Sequence, residues 1–220
     1  MPGLPIGMLS TRTGAVMGSC AHFKVTLTGK GGHSSRPHLA QNPVAAAAAI
    51  VVQLEGLTER LVDSRQPAVL VVCRVTGGNQ ANVIADTAVI EGTARSLSPA
   101  VDKLIEHGFR ETVESIAASR HVSARIDYQL SYPVTENTPE PTDLARRVIK
   151  AAQLPYRELP ESSLEAEDFS YFLRRYPGVY VKIGTGEDSP ALHNSQFDFP
   201  DEALQNGITY LVNFALEALK

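Results

Sequence analysis

The chain has 220 residues, 43% hydrophobic and 20% charged, enough for one large domain or two modest ones. A formal charge of −4 argues against nucleic acid as a partner, because phosphate binding needs a basic field. No apolar run approaches the roughly 18 residues of a membrane span, and Gly and Pro occur at ordinary levels. Cys20 and Cys73 both sit in apolar stretches, which predicts reduced core thiols and a cytoplasmic setting rather than a disulfide framework.

The first segment, Met1-Pro2-Gly3-Leu4-Pro5-Ile6-Gly7, has no charged leader, no long apolar run and no helix cap, and reads as the middle of a longer sequence. From Ser19 onward the order is clear. His22 to Thr28 alternates, with Phe23, Val25 and Leu27 on one face of a strand, and a glycine-rich turn at Gly29 to Gly32 closes it. Asn42-Pro43 is a helix start, followed by Ile50, Leu54, Leu57 and Leu61 at helical spacing. Ala68 to Val75 is valine-rich and predicts a buried strand. Ala88, Ile90 and Ala94 alternate with polar neighbours in another strand. Ser98-Pro99 opens a second helix with Val101, Leu104, Ile105, Gly108 and Ile116 on one stripe. A final strand alternates through Val122, Ala124, Ile126, Tyr128 and Leu130.

Strand, helix, strand, strand, helix, strand is the split βαβ, ferredoxin-like pattern, leaving one sheet face free of helices. The remainder predicts helices from Thr142 to about Ala152, from Glu167 to about Arg175 and from Asp201 to Leu219, with a short strand at Val179 to Ile183. In the last helix Leu204, Ile208, Leu211, Ala215 and Leu219 keep a helical rhythm. Three helices with one clear strand cannot cover both faces of a parallel sheet. This part is either a small open α/β appendage or a domain whose other strands lie in further sequence. The fold class expected is α/β, with an α+β lid at 19–132 and a partial α/β domain formed by 1–18 and 133–220.

Of six histidines, His22, His107 and His121 read as solvated. His33 and His38 lie in the polar loop Gly31-Gly32-His33-Ser34-Ser35-Arg36-Pro37-His38, the kind of strand-end loop that carries function, although its glycines also suit a plain tight turn. No phosphate loop is present, since its glycine–lysine spacing is missing. A triad through Ser34 or Ser35 lacks the G-x-S-x-G elbow. His193 follows a strand-end loop, where ligands of α/β sheets collect. It is a single ligand, whereas a catalytic zinc takes about three. Glu165, Glu167 and Asp168 make a carboxylate group that equally suits the first turn of a helix.

Five segments occur in order: Pro2 to Gly7, Thr28 to His38, Asn82-Val83-Ile84-Ala85-Asp86 with Gly92 to Arg95, Glu167-Asp168-Phe169-Ser170, and Leu192-His193-Asn194. Together they resemble the aminoacylase / hippurate-hydrolase metallopeptidase family over essentially the whole chain. The resemblance implies a metal-dependent amidohydrolase acting on N-acyl amino acids or peptides, with two zinc or manganese ions and a homodimer formed through the lid. It also implies roles for particular residues: His193 as a metal ligand, His33 as the lid histidine that stabilises the oxyanion, Asn82 and Arg95 as substrate grips, and Glu167 as a supporting acid. The family's Cys-Gly-His-Asp-x-His segment, its Glu-Glu pair and the histidine before Pro-Gly-Leu-Pro have no counterpart here. The resemblance is therefore to the C-terminal portion, expected to be inactive alone. A non-catalytic dimerisation or ligand-binding module derived from that fold is the alternative.

Overall fold

A computed structural model describes residues 1–220, which divide into two compact units. One comprises Gly18–Val134 with Leu164–Ala166, and the other Met1–Met17, Thr135–Ser163 and Glu167–Lys220. The elements in chain order are β1 (Leu9–Thr11), β2 (Gly14–Met17), β3 (Cys20–Thr28), β4 (Gly32–His33), α1 (Pro43–Leu54), α2 (Leu57–Leu61), β5 (Ala68–Gly77), β6 (Val83–Ile84), β7 (Thr87–Ser96), α3 (Pro99–Ser119), β8 (Ser123–Tyr132), β9 (Thr135–Asn137), α4 (Pro139–Ala151), β10 (Tyr156–Glu158), α5 (Ser170–Leu173), β11 (Lys182–Ile183) and α6 (Glu202–Ala218). A short 3₁₀ turn spans Pro37–Leu39.

In the first unit β3, β5, β7 and β8 form an antiparallel sheet in the order β5-β7-β3-β8. With α1 after β3 and α3 after β7, this is the ferredoxin-like arrangement. Phe23, Val25 and Leu27 on β3 and Ala88 and Ile90 on β7 meet Ala46, Ile50 and Leu54 of α1 and Phe109 and Val113 of α3. Period-2 and period-3.6 stripes thus close one core, as their spacing requires. Phe109 is its hub, with its ring centroid 4.6 Å from Phe23 and 5.5 Å from Tyr128. Burial pushes the Tyr128 phenol well up, with the nearby Glu106 and Asp102 charges adding to the effect.

The opposite sheet face is polar. Glu91 pairs with Lys24 at 3.4 Å and Arg74 at 3.1 Å, and Arg125 pairs with Asp127 at 3.2 Å. These exposed pairs set charge alternation across the strands and add little stability each. Two expectations change here. β5 is an edge strand whose outer half is exposed, not a buried strand, because hydrophobicity in a strand does not specify its place in the sheet. Cys20 is buried, but Cys73 is exposed, because the β5–β7 register shifts between Val72 and Arg74 and leaves Cys73 as the extra, bulged residue.

In the second unit β1 lies between β10, parallel to it, and β11, antiparallel to it, while β2 pairs with β9. Leu9, Ala145, Val148, Ile149 and Tyr210 form its core, and burial raises the Tyr210 phenol. Buried Asn137 ties this unit together. Its amide nitrogen shares two N–H hydrogens among three acceptors, Thr11 Oγ1 and the Arg12 carbonyl at 2.9 Å and the Tyr180 carbonyl at 3.1 Å. Its Oδ1 accepts from the Tyr180 N–H at 2.6 Å. The first predicted helix here begins earlier than expected, at Pro139, which supplies a proline at the helix start. The predicted helix from Glu167 shrinks to Ser170–Leu173, so Glu165, Glu167 and Asp168 precede it rather than forming its first turn. The strand expected at Val179 to Ile183 is only Lys182–Ile183.

The last helix differs in the face it buries. α6 packs Ala203 and Tyr210 inward, while Leu204, Ile208, Leu211, Val212, Leu216 and Leu219 are exposed. The apolar rhythm in the sequence marks this outward stripe, which no element of the chain covers. Beside it lies a largely apolar groove of about 690 Å³, lined by Leu9, Leu144, Phe169, Val181, Tyr210 and Phe214, among others.

Candidate functional site

The loop after β3 is held at both ends. Lys30 and Gln41 form an antiparallel bridge, with N–H···O distances of 3.0 and 2.8 Å. Asn42 Oδ1 accepts from the N–H groups of Val44 and Ala45 at 3.0 and 3.2 Å, capping α1. Glycine is required at two positions between these anchors and the strand. A Cβ on Gly29 would lie 2.1 Å from the Gln41 carbonyl oxygen, and one on Gly31 would lie 2.6 Å from that of Ile84. The Gly31 N–H donates to Asp86 Oδ1 at 2.8 Å, and the Gly29 N–H to the Asp86 carbonyl at 2.9 Å. Glycine therefore lets two backbone segments approach, and Asp86 ties them together.

This approach builds the site. β4 pairs with β6, placing His33 opposite Val83, and the Ser34 N–H donates to the Asn82 carbonyl at 3.0 Å. His33 and Asn82, far apart in sequence, become neighbours on one exposed rim. Near them is a polar depression of about 520 Å³ lined by Ser34, Asn42, Asn79, Gln80 and Val83, among others. The His33 ring is fixed through Nδ1, which accepts from the Ser35 N–H at 3.1 Å and lies 2.8 Å from Ser35 Oγ.

Arg95 stands on β7 of the same unit, partly buried, and its Nη1 donates to the Leu164 carbonyl at 2.9 Å. This contact holds segment Leu164–Ala166 in the lid unit and gives Arg95 a structural task that its sequence context did not suggest. Glu167 and His193 belong to the other unit. Glu167 Oε2 accepts from the Tyr180 hydroxyl at 3.2 Å, and the Tyr180 ring lies 5.9 Å from that of Phe169. His193 is exposed on a turn with φ of +67°, a left-handed conformation uncommon outside glycine. The structure thus brings His33 and Asn82 together, keeps Arg95 in the same unit, and places Glu167 and His193 in the second unit.

Sequence reasoning weighed Ser35 only as a triad serine and Asp86 only as part of a family segment, and gave neither the contact it makes here. The available signal for Ser35 was a serine two residues after a histidine, a spacing that favours local side-chain-to-backbone turns.

Residues 19–121 match the M20 peptidase dimerisation domain. An N-acetyldiaminopimelate deacetylase from Bacillus velezensis is 30% identical over 213 residues, which cover 97% of this chain and 57% of that protein. The lid unit is thus an M20 peptidase dimerisation domain, and the chain as a whole resembles aminoacylase-like M20 peptidases. A crystal structure described as an M20 dinuclear metal-binding peptidase from Bacillus subtilis aligns over 100% of this chain and 55% of that one, at 26% identity and a TM-score of 0.81. An aminohydrolase from methicillin-resistant Staphylococcus aureus aligns over 100% and 58%, at 26% identity and a TM-score of 0.91. The chain spans a little over half the length of the relatives it matches.

The dinuclear relative raises the question of whether this chain's own residues fit a metal pair. His193 stands on an exposed turn, and no three His, Cys, Asp or Glu side chains gather into a ligand group. A catalytic zinc takes about three protein ligands. The donors present in this chain therefore do not make a metal pair's site by themselves. No helix is long and apolar enough to cross a membrane.

Proposed function

We propose that this chain supplies the lid and the C-terminal part of the catalytic unit of an amidohydrolase that releases amino acids from N-acyl or peptide conjugates. The observation that carries the reading is the β4–β6 pairing, which sets His33 beside Asn82 on the lid rim. In this reading His33 donates to the carbonyl oxygen of the scissile amide, where negative charge develops. Asn82 and the guanidinium of Arg95 bind the polar ends of the substrate, the latter suiting a carboxylate. Within the second unit Glu167 is a supporting acid, and His193 contributes one ligand to a zinc or manganese pair whose other ligands this chain lacks. The domain boundaries that go with it are 19–132 for the lid and 1–18 with 133–220 for the catalytic part.

The same reading makes the isolated chain catalytically silent. The uncovered stripe on α6 and the small sheet of the second unit are consistent with a catalytic unit that needs more polypeptide than these 220 residues. Its lid pairs two copies as a homodimer, and its unpaired cysteines suit the cytoplasm.

Titration of the chain with N-acetyl amino acids, followed by amide NMR, tests the binding half of the proposal. Chemical-shift changes centred on His33, Asn82 and Arg95, without release of free amino acid, are expected. Release of amino acid by the chain alone would contradict the silence proposed. Shifts confined to other surfaces would contradict the placement of the ligand. A lid that pairs chains but shifts nowhere would favour a purely dimerising module.

A further inference from the structure

The His33 ring is held at one nitrogen by a single neighbouring residue. Its Nδ1 lies 3.1 Å from the Ser35 N–H, a group that can only donate. This contact favours a lone pair on Nδ1, which in the neutral ring places the single hydrogen on Nε2. The Ser35 hydroxyl is the closer group, 2.8 Å from the same nitrogen, and in that tautomer it donates to Nδ1 as well. Two donors from one residue converge on one acceptor. The backbone beneath the ring is also fixed: His33 pairs with Val83 across β4–β6, and its carbonyl accepts from the Arg36 N–H at 2.9 Å.

We propose that Ser35 is a positioning residue that locks His33 in the Nε2–H tautomer, so that the ring meets a substrate oxygen as a neutral hydrogen-bond donor and not as a base. The inference rests on the proposed role of the lid rim in amide hydrolysis, but the tautomer itself does not depend on it. Fixing a ring's tautomer through a hydrogen bond to its other nitrogen is the same device that orients metal-bound histidines. Ser35 touches no substrate in this scheme; it acts through His33.

The test is a long-range ¹H–¹⁵N correlation spectrum of the histidine rings of the full chain at a pH where they are neutral, with His33→Gln assigning the His33 signals. The expected spectrum shows well-separated nitrogens, pyrrole-type at Nε2 and pyridine-type at Nδ1. Ser35→Ala, which removes the closer hydroxyl donor and leaves only the 3.1 Å backbone contact, should draw the two nitrogen shifts together as the second tautomer becomes populated, while Ser35→Thr, which keeps the hydroxyl, should restore the separation. Amide dispersion compared across the variants reports that the fold is intact.

A wild-type ring that is Nδ1–H or averaged overturns the proposal without any variant. An Nε2–H ring unchanged in Ser35→Ala overturns the role of Ser35, and loss of the separation in both variants overturns the hydroxyl as its cause. The expected tautomer pattern in a chain that binds no N-acyl amino acid would sustain this inference while the functional reading failed.

Discussion

Replacing Phe109 with alanine probes whether the lid core is assembled as described. Phe109 is 0% exposed, with its ring tilted against those of Phe23 and Tyr128 at centroid distances of 4.6 and 5.5 Å. Truncating a buried Phe costs about 3–5 kcal/mol in transfer and cavity terms. With an m-value of about 2 kcal/mol/M, a loss of about 4 kcal/mol moves a urea midpoint by about 2 M. The matched control is Leu216→Ala on α6, where the leucine is 62% exposed and the cost should stay within about 0.5 kcal/mol. Urea unfolding followed by far-UV circular dichroism measures both. Because the chain divides into two compact units, Phe109→Ala is read against the lid transition and Leu216→Ala against that of the second unit. A cost below about 1 kcal/mol for Phe109→Ala, or a Leu216→Ala cost as large as that of Phe109→Ala, would refute the packing described.

Two other predictions concern the second unit. Asn137→Ala removes a buried amide that reaches three oxygens and accepts one N–H, so the Arg12 carbonyl and the Tyr180 N–H lose this partner while the Tyr180 carbonyl keeps the Thr11 hydroxyl. A loss of about 2–4 kcal/mol is expected by urea unfolding, and a cost near zero would show that these groups find other partners. At Glu158, burial pushes the carboxyl up, but hydrogen bonds from Arg146 and Tyr156 outweigh it and hold the group below its ordinary value. A depressed folded-state value means the stabilisation is present above about pH 4.5 and is lost as the pH falls through the folded value. The pair is half exposed, so the term is at most about 1 kcal/mol. Glu158→Gln should flatten that part of the acid stability profile, and an unchanged profile would count against the linkage.

The lid was legible because its signals are local. Alternation in β3, β7 and β8, the Asn42 cap and the proline at the start of α3 each specify an element within a few residues. Properties decided by distant partners were not legible. The valines of β5 look the same in an edge strand as in a central one, and the bulge that exposes Cys73 is a matter of register with β7. In α6 the periodicity located an apolar stripe correctly but could not say that Ala203 and Tyr210 face the core while the leucines face outward. The candidate site shows the same division. The loop around His33 stood out by composition, yet its meeting with Asn82 needed a two-residue strand pair too short to leave a pattern in the sequence.

Metal content and turnover, measured together on the purified chain, test the central claim most directly. After incubation with zinc or manganese and removal of unbound ions, elemental analysis should find no stoichiometric metal, because the chain gathers no three-ligand group. N-acetyl amino acids added to the same sample should remain intact. Two tightly held ions per chain accompanied by release of free amino acid would contradict the account.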